Sequence, residues 1–294
     1  MQSRENVEFQ SSGTICRGWF YSGGGGKRPC IVMAHGFGGV KEMRLDAYAE
    51  VFAREGYHVL VFDYRHFGAS DGNPRQLLSI WRQHDDWRAA LSFVRSRADV
   101  DTKKIVLWGT SFSGGHVAAL AAKEKGIAAA ISQVPHLDGI ATALASGFTK
   151  NIRLLLASLA DLLRALFGME PYYVDIVAEP GKLGAMTAPG ALESVMRLIP
   201  PNFQYNEKVA ARIFFSVPFY SPGKNAKKIN CPWLVQVALR DLTTPSKPAF
   251  VASKKAPKGE LITYDLDHFD VYVDPYFEKT VSDQLAFLKR HVSI

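Results

Sequence analysis

Ser111 lies in the run Gly109-Thr-Ser-Phe-Ser-Gly-Gly115, where small residues surround a hydroxyl that could attack a carbonyl carbon. Residues 105–108 form a short apolar run of strand length before it, and residues 117–122 continue as a helix after it. A serine held between a strand end and a helix start is forced into an uncommon backbone conformation, so its neighbours must be small. That turn exposes the hydroxyl at the top of a sheet and aims the next amide at whatever the hydroxyl attacks. A glycine-rich strand-to-helix turn can also hold a phosphate by its amides. The strand before and helix after favour the nucleophile. Ser113 is flanked by small residues in the same way and remains a second register, but Ser111 is preferred because Gly109 then falls where the turn begins.

A serine hydroxyl is a poor nucleophile unless a base lies within hydrogen-bond reach and a third group orients that base. Of eight histidines, His268 is chosen because it follows the last expected strand and precedes the final helix, at the same sheet edge as Ser111. His35 belongs to an earlier loop, and His116 sits in the helix after Ser111. Asp241, just past the strand expected over 234–239, is the preferred orienting acid and gives the chain order Ser, Asp, His. Asp138 competes for that role. Asp265, Asp267 and Asp270 are too close in sequence to His268 to reach its far nitrogen easily. Oxyanion donors are expected from the amides of Phe112 and of Phe37, the latter in His35-Gly-Phe-Gly-Gly39.

These residues must be carried by a mainly parallel sheet. Strands are expected over 7–10, 14–21, 30–34, 57–64, 105–108, 128–134, 233–239 and 260–266, with helices over 46–54, 80–97, 248–255 and the C-terminal segment. Strands separated by helices at this spacing imply a sheet covered on both faces. The rhythm breaks over 136–225, which reads as a helical cap with no convincing buried strand. The α/β core is therefore expected over 1–135 and 226–294. Within the insertion, the helix over 153–167 has apolar residues around most of its circumference and a narrow polar stripe of Ser158, Asp161 and Arg164. It reads foremost as a buried helix. The alternatives are an apolar wall over a cleft, or a surface meeting lipid or the second subunit of a homodimer.

Bulk composition excludes several classes. In 294 residues, 47% are hydrophobic and 21% charged, which describes a globular chain with a sizeable core. The +7 net charge is dispersed. Its densest part, Lys224 to Lys258, lacks interleaved aromatics and reads as a solvated face, so no nucleic-acid partner is expected. Three cysteines show no disulfide or metal-ligand spacing, and the first residues lack a secretion pattern. A soluble cytoplasmic protein without stable membrane insertion is expected, with no metal and no cofactor.

Over nearly its full length the chain resembles an α/β-hydrolase. The carriers are the His35-Gly loop, Asp63-Tyr-Arg-His-Phe-Gly-Ala-Ser70, Gly109 to Gly115, Arg240-Asp241 and Asp267-His-Phe269. Within that superfamily it is similar to dienelactone-hydrolase-like serine esterases and to fungal polyketide hydrolases and transferases. The resemblance implies an eight-stranded sheet, a Ser111/Asp241/His268 triad, an oxyanion hole at Phe37 and Phe112, and a cap. Dienelactone hydrolase proper has a cysteine where this chain has Ser111, so its substrate does not carry over. The expected reaction is cleavage of a hydrophobic or polyketide-type ester or thioester through an acyl-enzyme. Acyl transfer by the same nucleophile is the near alternative, and a non-catalytic ligand-binding protein on this scaffold is the distant one.

Overall fold

Four of the strands, over residues 28–34, 58–62, 127–133 and 233–238, are apolar runs with little or no alternation, the signature of a parallel sheet buried on both faces. The computed structural model describes residues 4–294; residues 1–3 of the expected core segment lie outside the described residues. Two antiparallel strands, β1 (Arg4–Ser11) and β2 (Thr14–Tyr21), start the chain, followed by β3 (Arg28–Ala34), α1 (Leu45–Arg54) and β4 (His58–Phe62). Then come α2 (Ile80–Ser96), β5 (Val100–Thr110), α3 (Phe112–Ala121) and β6 (Ile127–Gln133). The insertion holds α4 (Gly139–Ser146), α5 (Phe148–Leu166), β7 (Tyr173–Val177), β8 (Gly184–Met186), α6 (Ala191–Met196) and β9 (Lys208–Ala210). The chain closes with β10 (Trp233–Ala238), α7 (Ser246–Lys255), β11 (Gly259–Tyr264) and α8 (Tyr276–His291).

The eight-stranded sheet runs β1-β2-β4-β3-β5-β6-β10-β11. Pairing is antiparallel from β1 through β2 to β4 and parallel from β4 onward. The carboxyl ends of β5, β10 and β11 therefore open on one edge. Beneath that edge a buried amide chain ties α8 to the sheet. Trp108 Nε1 donates to Gln284 Oε1 at 2.9 Å, and Gln284 Nε2 donates to Gln133 and Gln236. No helix among the described residues is long and apolar enough to cross a membrane.

The insertion departs from the helical expectation in two ways. It contains a three-stranded sheet, β8-β7-β9, beside its helices. These strands have five, three and three residues, and Tyr173 pairs with Ala210 far along the chain. Runs so short carry no readable period, and their partners are non-local. The helix α5 is also turned the other way round. Its polar stripe faces inward: Ser158 Oγ donates to Ala211 O at 2.7 Å, and Asp161 accepts from Arg212 Nε at 2.8 Å and Tyr172 N at 2.8 Å. Leu156, Leu159, Leu163 and Leu166 face outward instead. An ion pair and satisfied backbone groups, together with a small apolar contact of Leu154 and Ala157 against Val174 and Ala211, seat this helix.

Candidate active site

The strand β5 delivers Ser111 to the sheet edge with φ 55° and ψ −120°, outside the usual right-handed region. Several contacts hold this strained turn: Ser111 N donates to Gln133 O at 2.8 Å, and Ser111 O accepts from His136 N at 2.9 Å. A Cβ at Gly109 would lie 2.4 Å from Ser113 O, which explains why the turn needs glycine at that place. The two serines have different surroundings. Ser113 is fully buried and its Oγ pairs at 2.8 Å with Tyr64 OH, which itself accepts from Trp87 Nε1. Ser111 Oγ instead lies 3.0 Å from His268 Nε2.

His268 comes from the loop after β11. Its Nδ1 lies 2.5 Å from Asp241 Oδ2, and this carboxylate neighbour assigns the proton to Nδ1, leaving the Nε2 lone pair towards Ser111. Asp241 follows β10 and is held by its own turn. Its Oδ1 accepts from Thr243 N and Thr244 N, both at 2.7 Å, while Thr244 Oγ1 donates to Oδ2 at 2.6 Å. The competitor Asp138 is occupied elsewhere, capping α4 through Ile140 N and Ala141 N. Thr244 was not singled out in the sequence, although Asp-x-Thr-Thr is the pattern of a carboxylate folding back on following amides.

The loop between β3 and α1 passes directly over the serine: a Cβ at Gly36 would stand 2.7 Å from Ser111 Cβ. That loop is fixed at both ends. His35 Nδ1 accepts from Gly36 N at 2.8 Å, and burial pushes the His35 imidazole down to about 4, so it is neutral. Lys41 Nζ meets Asp63 Oδ2 at 2.6 Å, and Tyr205 OH donates to Gly38 O at 3.0 Å. Phe112 is the first residue of α3, so its amide has no intrahelical acceptor. The rings of Phe37 and Phe112 meet edge to face at 5.5 Å. His116 belongs to another buried group, bonded to Gln83, His84 and Tyr220.

Ser111 and Asp241 open on a cavity of about 730 Å³ between the sheet edge and the insertion. Its walls include Leu154, Leu155, Phe214 and Phe219 from the insertion, and Leu242 from the loop after β10. A serine hydroxyl hydrogen-bonded to an imidazole nitrogen, and a seated carboxylate behind that ring, beside an apolar chamber, form an arrangement suited to acyl chemistry.

The chain is 40% identical over its whole length to the quorum-quenching protein AidA of Acinetobacter baumannii, covering 97% of that protein. It is 28% identical to the polyketide transferase grgF of a Penicillium species, across 99% of this chain and 97% of that protein. The fold superimposes on the structure of DcsB in complex with its substrate analogue, with TM-score 0.86, 26% identity, and coverage of 99% of this chain and 100% of that one. The alpha/beta hydrolase family pattern matches residues 31–281, which with the parallel sheet and its topology shows that the chain belongs to that family.

Proposed function

We propose that the protein is a serine hydrolase that cleaves a hydrophobic carboxylic or polyketide-type ester or thioester through an acyl-enzyme. The observation that carries this reading is the hydrogen-bonded line from Ser111 Oγ through His268 to Asp241. Ser111 Oγ adds to the carbonyl carbon while its proton passes to His268 Nε2. The imidazolium that forms is stabilised by Asp241, whose other oxygen is held in place by two amides. The tetrahedral oxyanion accepts from the amides of Phe112 and Phe37. Collapse breaks the bond to the alcohol or thiol, which leaves with the proton from Nε2. Water then adds to the acyl carbon, gives its proton to Nε2, and the acid departs as Ser111 recovers its hydrogen.

In this reading residues 136–225 act as a cap whose apolar wall receives the acyl part, and the reaction takes place in the cytosol. Quorum quenching, the role in the relative's name, would be the same cleavage directed at a small signal molecule. Transfer to an alcohol is the second reading, favoured by the polyketide transferase likeness across nearly the whole chain. Both routes share the acyl-enzyme and differ in what enters the cavity next. The test is labelling with a fluorophosphonate followed by peptide mass spectrometry. An adduct on Ser111, and turnover of p-nitrophenyl acyl esters, is the expected result. A protein that neither labels nor turns over any ester of the series refutes it and leaves a ligand-binding protein on a hydrolase scaffold. Supplying alcohols and finding acylated product would assign transfer.

A further inference from the structure

Lys150, on α5, is a lysine in the wall of the same cavity as Ser111. It sits among apolar groups such as Leu154, Leu155 and Met186. Its Nζ donates to Ala185 O at 2.7 Å and to Thr187 Oγ1 at 3.1 Å. An ammonium has three donors, so one N–H remains unused. Among the described residues no carboxylate pairs with it. Asp241, in the same wall, is already met by His268 Nδ1, Thr243 N, Thr244 N and Thr244 Oγ1. Burial pulls Lys150 down to about 8, so it holds its charge at neutral pH against a desolvation cost that only these two neutral oxygens offset.

A surface lysine in this position would be free to turn into water. This one is half-buried, tethered at two oxygens, and keeps its remaining donor among cavity-lining groups. We propose that Lys150 forms a subsite for an oxygen acceptor on the acyl portion of the substrate, a carboxylate or an oxo carbonyl, remote from the bond that Ser111 attacks. This rests on the reading of the cavity as the acyl pocket. Within the hydrophobic and polyketide-type esters proposed above, it selects those with an oxygen acceptor placed to meet Lys150. An alkyl chain of the same length would leave the third N–H of the ammonium desolvated and without an acceptor.

The test is calorimetric binding to protein carrying Ser111→Ala, so that affinity is read apart from turnover. Three ligands of equal length are compared: the methyl ester of an alkanoic acid, the monomethyl ester of the dicarboxylic acid, and the methyl ester of an oxo acid. Lys150→Met should lower the affinity ratio of the carboxylate ligand to the alkyl ligand by about 10- to 100-fold, and that of the oxo ligand by about 2- to 10-fold. Lys150→Arg keeps the cation and should keep both ratios. Should the methionine variant fail to fold, Lys150→Gln preserves a donor for Ala185 and Thr187 and reads the same ratios. A fall in the carboxylate ratio assigns an acidic acyl group; a fall in the oxo ratio alone assigns a ketone. Both ratios unchanged would overturn the subsite and leave Lys150 as a strut between α5 and β8. Absence of fluorophosphonate labelling in the wild type would sink hydrolysis while these ratios still stood.

Discussion

Replacing each of the two serines by alanine should separate activity from stability. Ser113 is fully buried, and Tyr64 OH is 2.8 Å from its Oγ. Trp87 Nε1 can only donate, and it donates to Tyr64 OH at 2.8 Å, which leaves Ser113 Oγ as the other hydrogen-bond partner of that hydroxyl. Ser113→Ala therefore removes one partner of a buried hydroxyl, at a cost of about 1–3 kcal/mol. For a chain this long each kcal/mol lowers Tm by about 2 °C, so a fall of about 2–6 °C is expected. Ester turnover should stay within about threefold, because this side chain faces Tyr64 and not the imidazole. Tyr64→Phe strands Trp87 Nε1 and should cost a similar amount, and the double variant should cost less than the sum because the three groups form one network. Ser111→Ala should do the opposite: turnover falls by at least about 10³-fold and Tm barely moves, since alanine keeps the same Cβ at the strained φ. Differential scanning calorimetry with p-nitrophenyl ester kinetics reads both quantities on one preparation. Labelling that survives Ser111→Ala and vanishes with Ser113→Ala would refute the register and the reading built on it.

Three further outcomes are expected. Burial pushes His35, His84 and His136 down to about 4, below the 6.5 they would have in an unfolded chain. The unfolded state therefore binds more protons as pH drops below about 6.5, so stability present at neutral pH is lost towards pH 4. Near pH 5, where most carboxylates remain ionised, each histidine should account for about 2 kcal/mol, and an unchanged urea midpoint between pH 7 and 5 would contradict this. Asp161→Ala leaves Arg212 and the amides of Tyr172 and Arg212 without their acceptor. It should destabilise the insertion by about 3–5 kcal/mol, seen as faster amide exchange in α5, and exchange rates equal to wild type would show that leucine packing seats the helix instead. Gln284→Leu strands Trp108 Nε1 and one oxygen each of Gln133 and Gln236. A loss of about 2–4 kcal/mol in chemical denaturation is expected, and a neutral result would mean that these amides repair among themselves.

Much of the sheet was legible because buried parallel strands are apolar runs whose ends are marked by glycine and proline. The expected limits of 14–21 coincide with β2, and those of 30–34 fall inside β3. The strand before Ser111 is longer than its apolar run, extending back through Asp101, Lys103 and Lys104 to Val100, which pairs with Arg28 across an irregularity in the register. Residues close together in sequence could be assigned to one turn, as with Ser111 and Gly109. The insertion was harder to read. Its strands are shorter than any period, and the direction in which α5 faces depends on Arg212, fifty-one residues away.

The sequence by itself determined the chemistry on offer: a hydroxyl on a strained turn, an imidazole and a carboxylate, each placed just after a strand of one parallel sheet. It did so because strand, turn and helix are local outcomes of side-chain spacing and backbone sterics. Only the tertiary structure decided that Asp241 rather than Asp138 faces His268, that Ser113 turns towards Tyr64, and that Lys150 looks into the chamber. Those are matters of which surfaces meet across long stretches of chain, and such meetings are set by packing and desolvation of the whole molecule, not by any window of neighbouring residues.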